Sequence, residues 1–258
     1  MINKSYTLIT GGTKGIGLEL ARLFAKDKNN LIIVARKEEE LKRVKEELQK
    51  EYGVDVETLS LDLAVDNSVG KLIKFVEEKK LIVDNLINNA GVGSFGYFDE
   101  VDENKDLNLI DINIVALTKL IKYFLPKMKS KRQGGILNVA STAAFVGGPK
   151  MSTYYSSKAY VLTLSEALYE EGKEFGVNVC CLCPGPVKTD FQESAGIVKS
   201  EKAKKYLMDA KDVAKEGYEG FKKGKAIIIP GFKNKIMIIA TKIAPRSIIR
   251  KIILSTNK

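Results

Sequence analysis

Short apolar runs alternate along this 258-residue chain with stretches whose apolar positions recur every three to four residues. The runs Tyr6–Thr10, Leu31–Ala35, Val56–Leu61, Asn85–Asn88, Gly135–Ala140, Val177–Leu182 and Ala226–Ile229 predict strands. Between them, helical spacing predicts helices over Gly15–Lys28, Glu38–Tyr52, Asn67–Lys79, Asp106–Ser130, Thr153–Phe175 and Asp212–Lys222. In Glu38–Tyr52, Leu41, Val44 and Leu48 form one apolar stripe among charges, the mark of a helix lying on a surface. The strand runs are almost wholly apolar instead of alternating, as expected when helices cover both faces of a sheet. This alternation predicts an α/β fold, a doubly wound parallel sheet of about seven strands. No internal repeat, low-complexity linker or composition break precedes residue 232, so residues 1–231 read as one domain and residues 232–258 as an extension of it.

Composition removes several classes of protein. With 45% hydrophobic residues the chain can fill a core, which excludes a disordered chain. No stretch approaches the roughly 18 uninterrupted apolar residues of a membrane-spanning helix, and a secretory signal is not expected at the start. There is no histidine, which excludes Ser-His-Asp and Cys-His mechanisms and His-ligated metals. Acid/base chemistry is left to Tyr, Lys, Asp, Glu or Cys. The three cysteines, Cys180, Cys181 and Cys183, sit in VNVCCLCPG. Neighbours in a strand point to opposite faces, so Cys180 and Cys181 are expected as buried core thiols in a reducing, cytoplasmic setting, with no metal site.

The net charge of +10 is uneven. Residues 232–258 carry seven cations (Lys233, Lys235, Lys242, Arg246, Arg250, Lys251, Lys258) and no acid; removing them leaves 35 cations against 32 acids, or +3. Without a basic stripe over the body or a recognition motif, nucleic-acid binding is not expected. In the extension, Ile248, Ile249, Ile252 and Ile253 fall at helical spacing opposite Arg250 and Lys251. Such a helix could lie on an anionic membrane surface, close the substrate pocket or join two subunits; docking on protein is the preferred reading.

The first strand runs into TGGTKGIG, residues 10–17, and then into a helix, with Gly11, Gly15 and Gly17 spaced GxxxGxG. Glycines there let the backbone approach a pyrophosphate held at the positive end of the helix. NNAG stands at residues 88–91, Ser141 ends the fifth strand, YYSSK at 154–158 holds a YxxxK pair, and PGPVKT at 184–189 follows the sixth strand. Asn113 lies in DINIVA. In this order and over roughly residues 5–231, the motifs resemble the short-chain dehydrogenase/reductase family, implying a Rossmann-type fold.

Tyr154 and Lys158 are four apart on a helix, hence on one face, and a nearby ammonium is expected to lower the tyrosine pKa from about 10. The resemblance implies that Tyr154 protonates a carbonyl oxygen as hydride reaches carbon from a nicotinamide. Ser141 would hydrogen-bond that oxygen, Lys158 would also grip the nicotinamide ribose, and Asn113 would hold a water linking Lys158 to solvent. The implied cofactor contacts are Gly11, Thr13, Lys14, Gly15, Ile16 and Gly17 at the turn, with Tyr154 and Lys158. Asp62 and Leu63 would border adenine, Asn89, Ala90 and Gly91 the adenosine ribose, and Pro184, Gly185, Val187 and Thr189 the carboxamide side.

Cofactor choice is read after the second strand, where NAD-selective enzymes place an acid. Here Arg36 stands in that region, with Lys14 as a second cation, and a guanidinium can clamp a 2′-phosphate. The cofactor expected is therefore NADP(H). Phe95, Phe145 and Phe191, with the 92–98 loop, the residues after Ser141 and segment 191–207, suggest an apolar carbonyl/alcohol substrate, although core packing explains the phenylalanines equally well. The sequence thus reads as a cytoplasmic NADP(H)-dependent oxidoreductase forming a homodimer or homotetramer. Its rivals are a membrane-peripheral 3-oxoacyl or lipid carbonyl reductase and a non-enzymatic NADP-sensing regulator.

Overall fold

The computed structural model describes residues 4–191, 195–196 and 207–257. Seven strands, β1 (Ser5–Thr10), β2 (Asn30–Ala35), β3 (Val56–Ser60), β4 (Ile82–Asn88), β5 (Gly134–Val139), β6 (Val177–Leu182) and β7 (Ile227–Ile228), form one parallel sheet in the order β3-β2-β1-β4-β5-β6-β7. The helices are α1 (Gly15–Lys26), α2 (Glu38–Tyr52), α3 (Ser68–Glu78), α4 (Glu103–Ile110), α5 (Leu117–Lys131), α6 (Ser152–Lys173), α7 (Ala210–Lys222), α8 (Phe232–Ile243) and α9 (Arg246–Thr256).

Apolar residues alternate between two cores, which is why the strand sequences show no polar face. Leu8, Ile32, Leu86, Ile136 and Cys181 pack under α3, α5 and α6. Their neighbours Ile9, Leu31, Ile33, Ile87, Leu137 and Cys180 pack under α1, α2 and α7. The stripe Leu41, Val44 and Leu48 is what α2 buries. All three cysteines are free and buried, and Cys181 Sγ lies 3.7 Å from Cys183 Sγ.

Three local features differ from the sequence pattern. The helix expected over Asp106–Ser130 begins at Glu103, where Asp102 caps it by accepting from the Asn104 amide at 2.7 Å, and it loosens into a π-helical turn at Asp111–Ala116. The Asn113 side chain, bonded to the loop after β4 and to α6, holds that turn out of α-helical register. β7 pairs only at Ile227 and Ile228 and stops before Gly231, whose φ of +80° turns the chain into α8. The extension is two helices, because Pro245 lacks the amide that a continuous helix would use there.

The strand order reverses between β1 and β4, so their carboxyl ends open a crevice. The glycine turn leaves the end of β1, NNAG the end of β4 and Ser141 the end of β5, so the sheet gathers all three at one edge.

Candidate active site

The turn after β1 is shaped by close backbone contact. Gly11 and Gly15 hold φ of +66° and +53°, a region costly for other L-residues. A Cβ on Gly17 would collide with the Gly11 carbonyl and the Asn89 side-chain amide, and one on Gly15 would stand 2.9 Å from the Thr189 methyl. Asn89 fastens the turn, its Nδ2 donating to the carbonyls of Thr10 at 3.0 Å and Gly11 at 2.9 Å. The Thr10 hydroxyl accepts from the Asn89 and Ala90 amides. Lys14 precedes α1 with extended backbone and no side-chain cap, and the first turn carries no acid, which leaves that end of the helix electropositive. Ile16 packs its side chain toward the α1 core, leaving its backbone to the turn.

Around Tyr154 the expected catalytic residues converge. Tyr154 is 8% exposed and the Lys158 Nζ lies 5.8 Å from its ring centroid. Ser141 sits beside the Tyr154 hydroxyl, near enough to favour its ionised form. The Ser141 hydroxyl also accepts from the Ala143 amide at 3.1 Å and lies 3.4 Å from the Pro184 carbonyl. Asn113 Oδ1 accepts from the Val92 amide, and its Nδ2 donates to the Val92 carbonyl and to Ser157 Oγ, each at 3.0 Å. Ser157 in turn donates to the Tyr154 carbonyl at 2.7 Å. A Cβ on Gly91 would lie 3.2 Å from both Asn113 Oδ1 and Lys158 Nζ, so glycine there lets the amide and the amine share one space.

The expected lowering of the tyrosine pKa is not what this arrangement produces. Burial pushes Tyr154 up to about 12, against a smaller opposing effect of Ser141 beside it. Burial also pushes Lys158 down to about 8, with Cys181 and Cys183 opposing. The Lys158 ammonium donates one of its hydrogens to the Val139 carbonyl, 2.9 Å away. The phenol is thus held in its proton-bearing form.

On the adenosine side, Arg36 is exposed after β2, and its carbonyl accepts from Ser60 Oγ at 2.9 Å. Lys14 Nζ stands 3.2 Å from Glu40 and 3.3 Å from Asp190, and these bonds, Glu40's first, raise its pKa. Glu40 also takes Lys37 at 3.4 Å and the Thr13 hydroxyl at 3.3 Å. Asp62 folds onto the Ala64 amide at 3.0 Å, and Leu63 packs on the core, its carbonyl accepting from Ser68 Oγ. The Pro184 carbonyl takes the Thr142 amide at 2.8 Å, and Val187 bridges to Met208.

Leu109, Ala143, Met151 and Tyr154 form a small apolar cluster joined by Val92, Phe95, Tyr155 and Phe191. The Phe191 ring centroid is 5.4 Å from that of Tyr154. Phe145 packs instead against the main core. Of the expected 191–207 border, residues 192–194 and 197–206 lie outside the described residues.

Four residues of this region were not singled out from sequence. Asp106 takes the Ser94 and Thr153 hydroxyls, each at 2.6 Å, and so ties the 92–98 loop to the start of α6. Glu40 looks like one more surface acid in a run of three. Asn234 packs its amide on Gly185, and Asn257 donates to the Pro149 carbonyl at 2.9 Å. Only the fold brings these four to the site.

The description of the short chain dehydrogenase family matches residues 5–198. The chain is 30% identical over 189 residues to very-long-chain 3-oxoacyl-CoA reductase of Rattus norvegicus; the match covers 71% of this chain and 60% of that protein, less than two thirds of the relative's length. It is 35% identical over 189 residues to oxidoreductase UcpA of Escherichia coli (strain K12), covering 72% of this chain and 71% of that protein. A solved short-chain dehydrogenase from Sphingobium yanoikuyae, in complex with NADPH, aligns with a TM-score of 0.84 and 29% identity over 95% of each chain. On sequence and architecture together, the chain belongs to the short-chain dehydrogenase family.

Proposed function

We propose that this protein is an NADP(H)-dependent oxidoreductase that interconverts a carbonyl and an alcohol, with Tyr154 as the proton donor and acceptor. The observation that carries the reading is a buried tyrosine beside Ser141 and one helical turn from Lys158, at the edge where the glycine turn opens. The cradle around Gly11, Gly15 and Gly17 fits a diphosphate, since side chains there would fill it. The bound dinucleotide supplies or takes up the hydride. Tyr154, kept as a phenol by burial, gives its proton to the carbonyl oxygen, and Ser141 holds that oxygen by a hydrogen bond. Lys158 offsets the negative charge left on the phenolate and holds the nicotinamide ribose; Asn113, beside it over Gly91, lines a route for the returning proton. Arg36 and Lys14 receive the 2′-phosphate, and the NADPH complex of the Sphingobium relative supports that choice.

Phe95, Met151 and Phe191 beside Tyr154 favour an apolar substrate. The name of the rat relative brings 3-oxoacyl thioesters and lipid carbonyls into that range. A cytoplasmic homodimer or homotetramer completes the proposal, with residues 1–231 as the catalytic domain. The test follows NADPH absorbance with ketones, aldehydes and 3-oxoacyl thioesters: turnover with a carbonyl supports the reading, whereas tight NADPH binding with no turnover on any of them favours a cofactor-sensing role.

A further inference from the structure

We propose that the extension, α8 with α9, is a docking surface for an anionic lipid bilayer, on which the two helices lie flat. This goes beyond the oxidoreductase reading and does not depend on it. Along α8, Phe232, Ile236, Ile239 and Ile243 recur at spacings of four, three and four, which is one stripe of a helix. That stripe faces outward, with exposures of 75%, 51%, 59% and 81%. The seat on the domain is made by other positions: Ile238 and Ile249 are buried, Asn234 packs on Gly185, and Asn257 bonds Pro149. On α9, Ile248 and Ile252, four apart on one stripe, are also exposed.

Charge identifies the occupant. Lys242, Arg246, Arg250 and Lys251 lie among these apolar residues, Lys235 pairs with Glu216 of the body at 3.7 Å, and residues 232–257 carry six cations and no acid. Lysine and arginine stems can lie along apolar surface while their heads reach an anionic headgroup layer. A second copy on the same patch would set six cations against six. A spanning role is excluded for these helices, since no helix among the described residues is long and apolar enough to cross a membrane.

The experiment is co-sedimentation of the full chain with phosphatidylcholine vesicles, with and without phosphatidylglycerol, at low and high salt. We expect binding to the anionic vesicles only, weakened by salt as the Debye length shortens. Lys242→Gln with Arg246→Gln and Lys251→Gln should weaken it by at least about tenfold. Phe232→Ser with Ile243→Ser, at positions that the fold leaves open, should abolish it while leaving circular dichroism and mass unchanged. Equal binding to neutral vesicles, or no binding to either, overturns the proposal. So does an apolar variant that keeps its vesicle binding but falls to a smaller mass by light scattering, since the face would then pair two copies.

Discussion

Thr153 donates its hydroxyl to Asp106 Oδ2 at 2.6 Å, one residue before Tyr154 on the same helix. The other carboxylate oxygen takes Ser94 at 2.6 Å, so one side chain sets both the start of α6 and the loop beside the site. Hydrogen bonds to charged groups contribute about 1.5–3 kcal/mol each. Asp106→Ala should therefore cost about 2 kcal/mol or more in denaturant unfolding and lower kcat roughly tenfold by loosening Tyr154. Asp106→Asn, which keeps one acceptor, should recover part of both; an alanine variant with unchanged kcat would show that the carboxylate does not position the tyrosine.

If Lys14 receives the 2′-phosphate as proposed, Glu40, 3.2 Å from its Nζ, competes for it. It neutralises Lys14 and Lys37 where a 2′-phosphate is expected to bind. Exposed ion pairs are weak, so Glu40→Gln should tighten NADPH binding by no more than about fivefold and NADH binding less. Titration of both cofactors by fluorescence measures the difference.

The proposed reading puts selection between the two dinucleotides on Arg36. Two charged hydrogen bonds to the phosphate imply a preference for NADPH of at least about a hundredfold, less whatever solvent screening removes. Arg36→Asp should reverse it, because the acid repels the phosphate but can still take the ribose hydroxyls. The comparison is kcat/KM for NADPH and NADH at one ionic strength, in both proteins.

The proposed carbonyl reduction needs Tyr154 protonated and Lys158 charged. Burial sets the lysine near pKa 8 and the tyrosine near 12. The lysine loses its charge first, so kcat/KM should fall as pH rises through about 8, while the phenol still carries its proton. A profile flat to beyond about 10, the usual lysine range, would mean that this charge is not required.

The sheet was legible because buried parallel strands must be apolar throughout, and the glycine turn because close backbone contact leaves few residues possible at Gly11, Gly15 and Gly17. Ser141, Tyr154 and Lys158 could be found because motif spacing along a strand end and one helix survives folding. Asp106, Glu40, Asn234 and Asn257 could not, since each acts through a partner distant in sequence or on another element: Ser94 and Thr153, Lys14, Gly185, Pro149. The pKa of Tyr154 is not legible in the sequence for a related reason. Helical spacing places Lys158 beside the ring, but only the packed structure shows how strongly burial acts and that Nζ turns to Val139.

The central claim, that Tyr154 moves the proton, is tested most directly by turnover in Tyr154→Phe set beside Tyr155→Phe, with NADPH affinity measured in both. Loss of a general acid costs on the order of 10²–10⁴-fold. The account predicts that loss in kcat for Tyr154→Phe alone, with NADPH binding nearly kept. Near-normal turnover in Tyr154→Phe, with the loss appearing in Tyr155→Phe, would contradict it.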